Sequence, residues 1–258
     1  MSQLEHIQQH LRTLRMPTAV EVVDDLLKTA QSDDWSIADF LAELLDQEIE
    51  GRRLRRIERL QRSSHLPAGK TLAGFEQAHL PLRLRRQLQE LCEGDFVDRS
   101  ENLLIFGLPG RGKTHFATAV GHELVQRGRS VLFTPTFRLV DDLLRAKRDL
   151  LLEHQLRKLD RFEVLILDDI GYVQQSREEM EVLFTLLAER YERRSVVITS
   201  NLVFSQWDQI FKDPMTTAAA IDRVVHHSII VEFGKEVPSR RAEEAARRIN
   251  NAPDPQEE

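Results

Sequence analysis

LLIFGLPGRGKTH, residues 103–115, decides how the rest of this sequence is read. Four apolar residues, Leu103 to Phe106, run into a glycine-bearing loop, and the loop runs into a segment with helical character. From Gly107 to Thr114 the stretch matches the phosphate-binding loop G-x-x-x-x-G-K-[ST] at every defined position. The spacing has a chemical reason. Glycines let the backbone fold closely around a polyphosphate, so that successive N–H groups aim at its oxygens. The helix N-terminus that follows adds its partial positive charge. Gly107, Leu108, Pro109, Gly110, Arg111, Gly112, Lys113, Thr114 and His115 are therefore the expected nucleotide cradle. Lys113 is expected to reach the β and γ phosphates, and the Thr114 hydroxyl offers a hard oxygen to Mg²⁺.

Downstream of the loop, apolar strands alternate with amphipathic helices. The strands are expected at Asn102–Phe106, Ser130–Thr134, Glu163–Leu167, Ser195–Thr199 and Ser228–Phe233, and the helices at 113–127, 136–159, 176–193 and 216–227. Such alternation predicts an α/β fold, a parallel five-stranded sheet flanked by helices. A phosphate loop needs a metal-holding acid on a neighbouring strand, and Val164-Leu165-Ile166-Leu167-Asp168-Asp169 supplies one. Asp168 is expected to hold Mg²⁺, and Asp169 to orient and deprotonate the attacking water. A second buried run, Val196 to Thr199, ends at Ser200-Asn201, where an amide can hydrogen-bond the γ-phosphate or the water. Arg223 lies in an apolar helical setting. It is either a surface charge or an arginine finger that reaches a neighbouring subunit's nucleotide.

Upstream, Leu4, Ile7, Leu11 and Leu14 define one face of a helix that Pro17 interrupts. A second helix carries Val20, Val23, Leu26 and Leu27. Ser36 opens a third, with Ile37, Phe40, Leu41, Leu44, Leu45 and Ile49 as its apolar series, and this helix has room to continue through GRRLRRIERLQR despite Gly51. Arg52, Arg53, Arg55, Arg56 and Arg59 crowd that last stretch. They are either a solvated helix face, paired with upstream acids, or contacts to the phosphate backbone of double-stranded DNA. HLPAGKTLAGF, residues 65–75, reads as a linker. The expected domains are an α-helical one at 1–66, the nucleotide domain at 67–249 and a disordered tail at 250–258.

Composition narrows the class. At 41% hydrophobic and 30% charged residues, the chain reads as globular, with one sizeable domain plus an appendage. No apolar run approaches the roughly 20 residues a membrane span needs. The N-terminus MSQLEHIQQHLR has no signal-peptide core, so a cytoplasmic location is expected. Cys92 is the single cysteine, which excludes an internal disulfide and any multi-cysteine zinc site. A net charge of −6 directs attention to local basic patches rather than to the total.

Taken together, GLPGRGKTHFATAVG (107–121), LILDDIGYVQQSREE (165–179), ITSNLVFSQWDQIF (198–211) and TAAAIDRVVHHS (217–228) resemble the AAA+ ATPases of the helicase-loader group. Within that group they most resemble the IstB-type transposition helper ATPases of bacterial insertion sequences. LRTLRMPT, LLDQEIEGRRLRR and LPAGKTLAGFE look like the same proteins, so the resemblance covers about residues 4–242. It implies an ATPase that works as a homo-oligomer on double-stranded DNA and cooperates with a cognate transposase. By position it assigns Lys113, Thr114, Asp168 and Asp169 to the Walker A and B motifs, Asn201 to sensor 1 and Arg223 to the arginine finger. The family's Ser-Tyr-Arg near the C-terminus is Ser239-Arg240-Arg241 here, with arginine replacing tyrosine, which makes Arg241 the candidate sensor 2. Residues 234–258 are too few for a full helical lid, so a reduced C-terminal lid is expected. The alternative function is a replicative helicase loader with the same engine and a protein target. A small-molecule kinase should offer a substrate lid, and a binding module without turnover should lack the two aspartates.

Overall fold

The computed structural model describes residues 2–170, 176–202, 225–234 and 236–239. Among the described residues, fifteen elements are formed. They are α1 (Gln3–Thr13), α2 (Pro17–Ser32), α3 (Ile37–Ser64), a 3₁₀ turn (Gln77–His79), α4 (Leu82–Glu93), α5 (Asp95–Asp98), β1 (Asn102–Gly107), α6 (Lys113–Gln126), β2 (Val131–Pro135), α7 (Thr136–Arg148), α8 (Leu152–Leu159), β3 (Val164–Asp168), α9 (Arg177–Arg190), β4 (Ser195–Ser200) and β5 (Ser228–Phe233). Among the described residues, no helix is long and apolar enough to cross a membrane.

The five strands form one parallel sheet in the order β2-β3-β4-β1-β5. Each begins and ends within a residue of its expected position. The alternation of side chains explains the layers. Leu104, Phe106, Leu165, Leu167, Val196 and Ile198 join α7, α8 and α9 in one core. The helix α6 packs on β1, β2, β3 and β4, with Gly121 so close to Ile166 that a Cβ there would lie 2.7 Å from its Cδ1. On the edge strand β5, Arg83 donates to Glu232 O (3.2 Å) and Gln87 to Ile230 O (3.3 Å). These two side chains of α4 satisfy carbonyls that an open edge would leave to another chain.

Arg190 is buried at 1% exposure and donates to the carbonyls of Leu159, Phe162, Glu163 and Ser195. It thereby ties the end of α8 to the entry of β3 and β4. Burial pulls its pKa down to about 10, which leaves the guanidinium charged at neutral pH.

Two expectations change. The helix expected over 136–159 is two helices, α7 and α8, separated at Asp149–Leu151 where Leu150 takes φ 59°. The apolar periodicity continues across the break and concealed it. The linker expected at 65–75 is a packed strap. Leu66 is 8% and Phe75 7% exposed, and the carbonyls of Pro67 and Thr71 accept hydrogen bonds from His122 (3.1 Å) and His115 (2.9 Å) on α6.

The chain divides into two compact units, Met1–Arg59 and Leu60–Glu258. The division falls inside α3, and the chain from Gln61 onward is bonded to α6: Gln61 Nε2 donates to His122 Nδ1 at 3.2 Å. Within the first unit, Leu11, Ala19, Val23 and Leu44 form the core. Gly51 is a close-approach position in α3, since a Cβ there would lie 2.0 Å from Thr18 Oγ1. Of the apolar series on α3, Leu44 is buried, while Ile37, Leu41, Leu45 and Ile49 are exposed.

Candidate active site

The parallel strands bring their carboxyl ends to one edge of the sheet, the place where open α/β sheets bind ligands. There a cavity of about 360 Å³ is lined by Lys70, Pro109, Gly110, Gly112, Lys113, Thr114, His115, Asp169, Thr199 and Asn201. The loop leaves β1 and enters α6 with Gly110 at φ 79° and Gly112 at φ 94°. The first turn of α6, from Lys113, brings the positive end of the helix dipole to the cavity.

Gly107 serves a purpose the motif alone does not disclose. Its φ is 149°, and a Cβ would meet Phe233 Cβ and Phe233 O, each at 2.7 Å. The glycine lets β1 end against β5, and it is not among the residues lining the cavity. Arg111, expected in the cradle, sends its side chain elsewhere. It donates to Gly234 O at 2.7 Å and to Val237 O, so the guanidinium clasps the chain leaving β5. Only the backbone of Arg111 remains with the loop. Leu108 is half exposed, and its carbonyl accepts from Lys113 at 3.0 Å.

The catalytic candidates form one hydrogen-bonded chain. Lys113, 6% exposed, donates to Asn201 Oδ1 at 2.6 Å. Asn201 Nδ2 donates to Asp169 Oδ1 at 2.9 Å. An ammonium only donates and a carboxylate only accepts, so the amide's orientation follows from its two neighbours. Thr199 completes the chain: its hydroxyl donates to Asp168 Oδ1 (2.7 Å) and accepts from the Asp169 amide (2.9 Å). Asp169 takes φ 63°, a costly backbone for a non-glycine residue. The Thr199 contact and the Ile170 N–H bonded to Thr199 O at 3.0 Å hold it there. Thr136, the first residue of α7, donates to Asp168 O at 3.0 Å.

Thr199 and Lys70 were not singled out from the sequence. Thr199 was legible in principle, because β3 and β4 pair Leu167 with Ile198, so the next residue on β4 faces Asp168. Lys70 was hidden in the stretch read as linker. His115 both lines the cavity and holds the strap through Thr71 O. The strap's Phe75 packs edge-on against His115, with ring centroids 4.8 Å apart. Among the described residues there is no cluster of three or more His, Cys, Asp or Glu able to hold a metal. The hard-oxygen donors available are the Thr114 hydroxyl and the Asp168 carboxylate, which suit Mg²⁺ shared with phosphate oxygens. Arg223 and Arg241 lie outside the described residues.

Arg52, Arg53, Arg55, Arg56 and Arg59 of α3 lie in the first unit and are all exposed. Arg52, Arg53 and Arg55 show what such side chains hold. Arg52 donates to Glu48 Oε1 (2.8 Å) and Arg15 O (2.8 Å), and Arg55 to Thr18 Oγ1 (2.6 Å) and Glu48 Oε1 (3.3 Å). Arg53 forks onto Glu50 at 2.7 and 2.8 Å. Glu48 is the hub. Its carboxylate, 4% exposed, accepts from the Ala19 amide at 3.0 Å and so caps α2, which has no side-chain cap of its own. Burial pushes its pKa up, but the Arg52 guanidinium and the Ala19 and Thr18 amides outweigh this and hold it below the usual carboxylate range. Arg56 and Arg59 extend the exposed basic face.

With the site described, its relatives can be placed. Residues 9–246 match the family model for IstB-like ATP binding protein. An insertion sequence ATP-binding protein of Sinorhizobium fredii is 42% identical over 94% of this chain and 82% of its own. The insertion sequence IS21 ATP-binding protein of Pseudomonas aeruginosa is 40% identical over 88% and 85%. Among solved structures, DnaI superposes with a TM-score of 0.56 at 21% identity, covering 66% of this chain and 96% of its own. AMPPCP-bound DnaA from Aquifex aeolicus superposes with a TM-score of 0.53 at 19% identity, covering 71% and 56%. These structural matches show that the chain shares its fold with DnaI and DnaA. Extent and identity together settle the lineage: the chain belongs to the IstB-like ATP-binding protein family.

Proposed function

We propose that this protein is a Mg²⁺-dependent ATPase that serves DNA transposition, assembling on duplex DNA with ATP and resetting the assembly by hydrolysis. The observation that carries this reading is the chain Lys113–Asn201–Asp169–Thr199 along the wall of a polar cavity at the N-terminus of α6, with Asp168 bonded to the Thr199 hydroxyl. Relatives named as insertion sequence ATP-binding proteins set the biological context.

In this reading the α6 amides and Lys113 bind the polyphosphate. Thr114 and Asp168 would hold Mg²⁺, which supplies neutralisation of the charge on the β and γ oxygens. Asp169 accepts the proton of the attacking water, and Asn201 aligns that carboxylate with the lysine. A left-handed backbone at Asp169 fits a group held in position for chemistry rather than for packing. Arg223 of a neighbouring subunit completes the site, and Arg241 contacts the nucleotide as sensor 2. The N-terminal helices contact DNA through Arg52, Arg53, Arg55, Arg56 and Arg59, and mediate self-association and transposase contact. Phosphate neutralisation by those arginines makes the affinity salt-dependent.

The test is ATP turnover by the full chain with and without duplex DNA, followed by capture of the cognate transposase on that DNA. Mg²⁺-dependent hydrolysis that rises with duplex DNA is expected. Absence of hydrolysis under every condition would sink the enzymatic reading, and capture of a replicative helicase in place of the transposase would redirect it.

A further inference from the structure

We propose that Lys70, on the strap between α3 and α4, is a second nucleotide-contacting cation that binds the polyphosphate of ATP or ADP. The proposal rests on the nucleotide site described above and adds to it a residue from outside the phosphate loop. Lys70 lines the same cavity as Lys113, Thr114 and Asp169. Among the described residues no carboxylate pairs with it.

The strap holds Lys70 in place rather than letting it trail in solvent. Its own amide donates to Pro67 O at 3.1 Å. Pro67 O accepts from His122 Nε2, and Thr71 O, the next residue on, accepts from His115 Nε2. A carbonyl can only accept, so both imidazoles present Nε2–H to the strap. At one end Leu66 seats so close to Gly121 that a Cβ there would lie 2.9 Å from Leu66 Cδ2. At the other end Phe75 packs edge-on to His115 and Phe116, at centroid distances of 4.8 and 6.2 Å. The ordering cost of the strap backbone is thus met by the fold, so that a ligand has only the Lys70 side chain left to order.

Charge gives the ligand class. The loop's other cation, Arg111, is spent on Gly234 O and Val237 O. The cavity therefore has two side-chain ammonium groups, from Lys113 and Lys70, and one carboxylate, from Asp169, in its lining. A nucleoside polyphosphate carries several negative charges at neutral pH, and a charge-assisted contact to phosphate is about twice as strong as a neutral one. A lysine serves here as a point charge and needs no bidentate geometry.

The experiment is equilibrium titration of the full chain with fluorescent ATP and ADP analogues in Mg²⁺, alongside steady-state ATPase kinetics, for wild type, Lys70→Ala, Lys70→Gln and Lys70→Arg. We expect Ala and Gln to weaken both nucleotides by about tenfold and Arg to restore most of the affinity. The loss in kcat/KM should reside in KM. Equal affinity of wild type and Lys70→Gln for both nucleotides would overturn the proposal while leaving the site itself intact. Failure of wild type to bind either nucleotide would overturn the site and the proposal together. Lys70→Gln keeps the inner half of the aliphatic stem and a polar end, and an unchanged thermal midpoint shows that its fold is retained.

Discussion

The phosphate loop and the arginine-rich half of α3 are the two stretches whose composition invites a functional reading, and they behave in opposite ways. The loop acts through its backbone. Glycine φ angles, a helix N-terminus and one lysine suffice, and all follow from eight consecutive residues. The α3 arginines act through the far ends of long side chains, and where those ends go depends on residues 37 positions away. Arg55 reaches Thr18 and Arg52 reaches the Arg15 carbonyl. A basic run is therefore two things at once here, a fastener for α2 and an exposed face toward solvent. The loop shows a milder form of the same lesson, because the long side chain of Arg111 left the expected site for a carbonyl 123 positions away.

The largest effect should come from the loop side of this comparison. Asp169→Asn keeps a side chain of the same shape beside Asn201 but removes the proton acceptor. ATP turnover should fall by about 10²–10⁴ with nucleotide affinity within a few-fold of wild type. A variant that hydrolyses ATP at the wild-type rate would move the general base elsewhere.

Next in size is the fastener role of α3. Replacing Glu48 by Gln removes the charge that Arg52 and Arg55 hold and weakens the cap on α2, for a cost of about 1–3 kcal/mol. The sign of its pH dependence follows from the folded-state pKa, which lies below the ordinary value. A carboxylate depressed in this way stabilises above its unfolded pKa of about 4.3, and that contribution is lost as pH falls through the folded value. Hydrogen exchange of the Ala19 amide should show wild type better protected than Glu48→Gln near neutral pH, with the gap closing in acid. A gap that stays constant across that range would mean that Glu48 acts by shape and not by charge.

The smallest effect should separate the two roles within one helix. Arg59→Ala, at an exposed position, should lower the slope of log affinity for duplex DNA against log salt by about one and leave thermal stability unchanged. Arg52→Ala should change that slope and also loosen the α1–α2 turn, where its guanidinium holds Arg15 O. Salt slopes indistinguishable from wild type in both variants would confine these arginines to structural work.

Much of the fold was open to reading in the sequence, and the reasons are local. Strand positions followed from short apolar runs between turn residues, and the parallel order of layers followed from strand–helix alternation. The two places where reading failed are also instructive. Apolar spacing ran unbroken through Asp149–Leu151, so nothing in the pattern marked the left-handed backbone at Leu150 that splits α7 from α8. Pro67, Gly69 and Gly74 signalled a linker because they are turn formers. The signal was correct about backbone shape and silent about what the turns pack against.

What the sequence determined by itself is whatever depends on neighbours along the chain: the phosphate loop, the acidic end of β3, the polar end of β4 and the capping of α1 by Ser2 and Glu5. What only the tertiary structure decided is which side chains meet across the fold. It joined Lys113 to Asn201, separated by 88 positions, inserted Thr199 between the two aspartates, turned Arg111 away, and delivered Lys70 to the cavity. The physical reason is range. Backbone preferences and helix dipoles act within a turn or two, whereas a hydrogen bond between side chains depends on a packing geometry that a linear pattern does not contain.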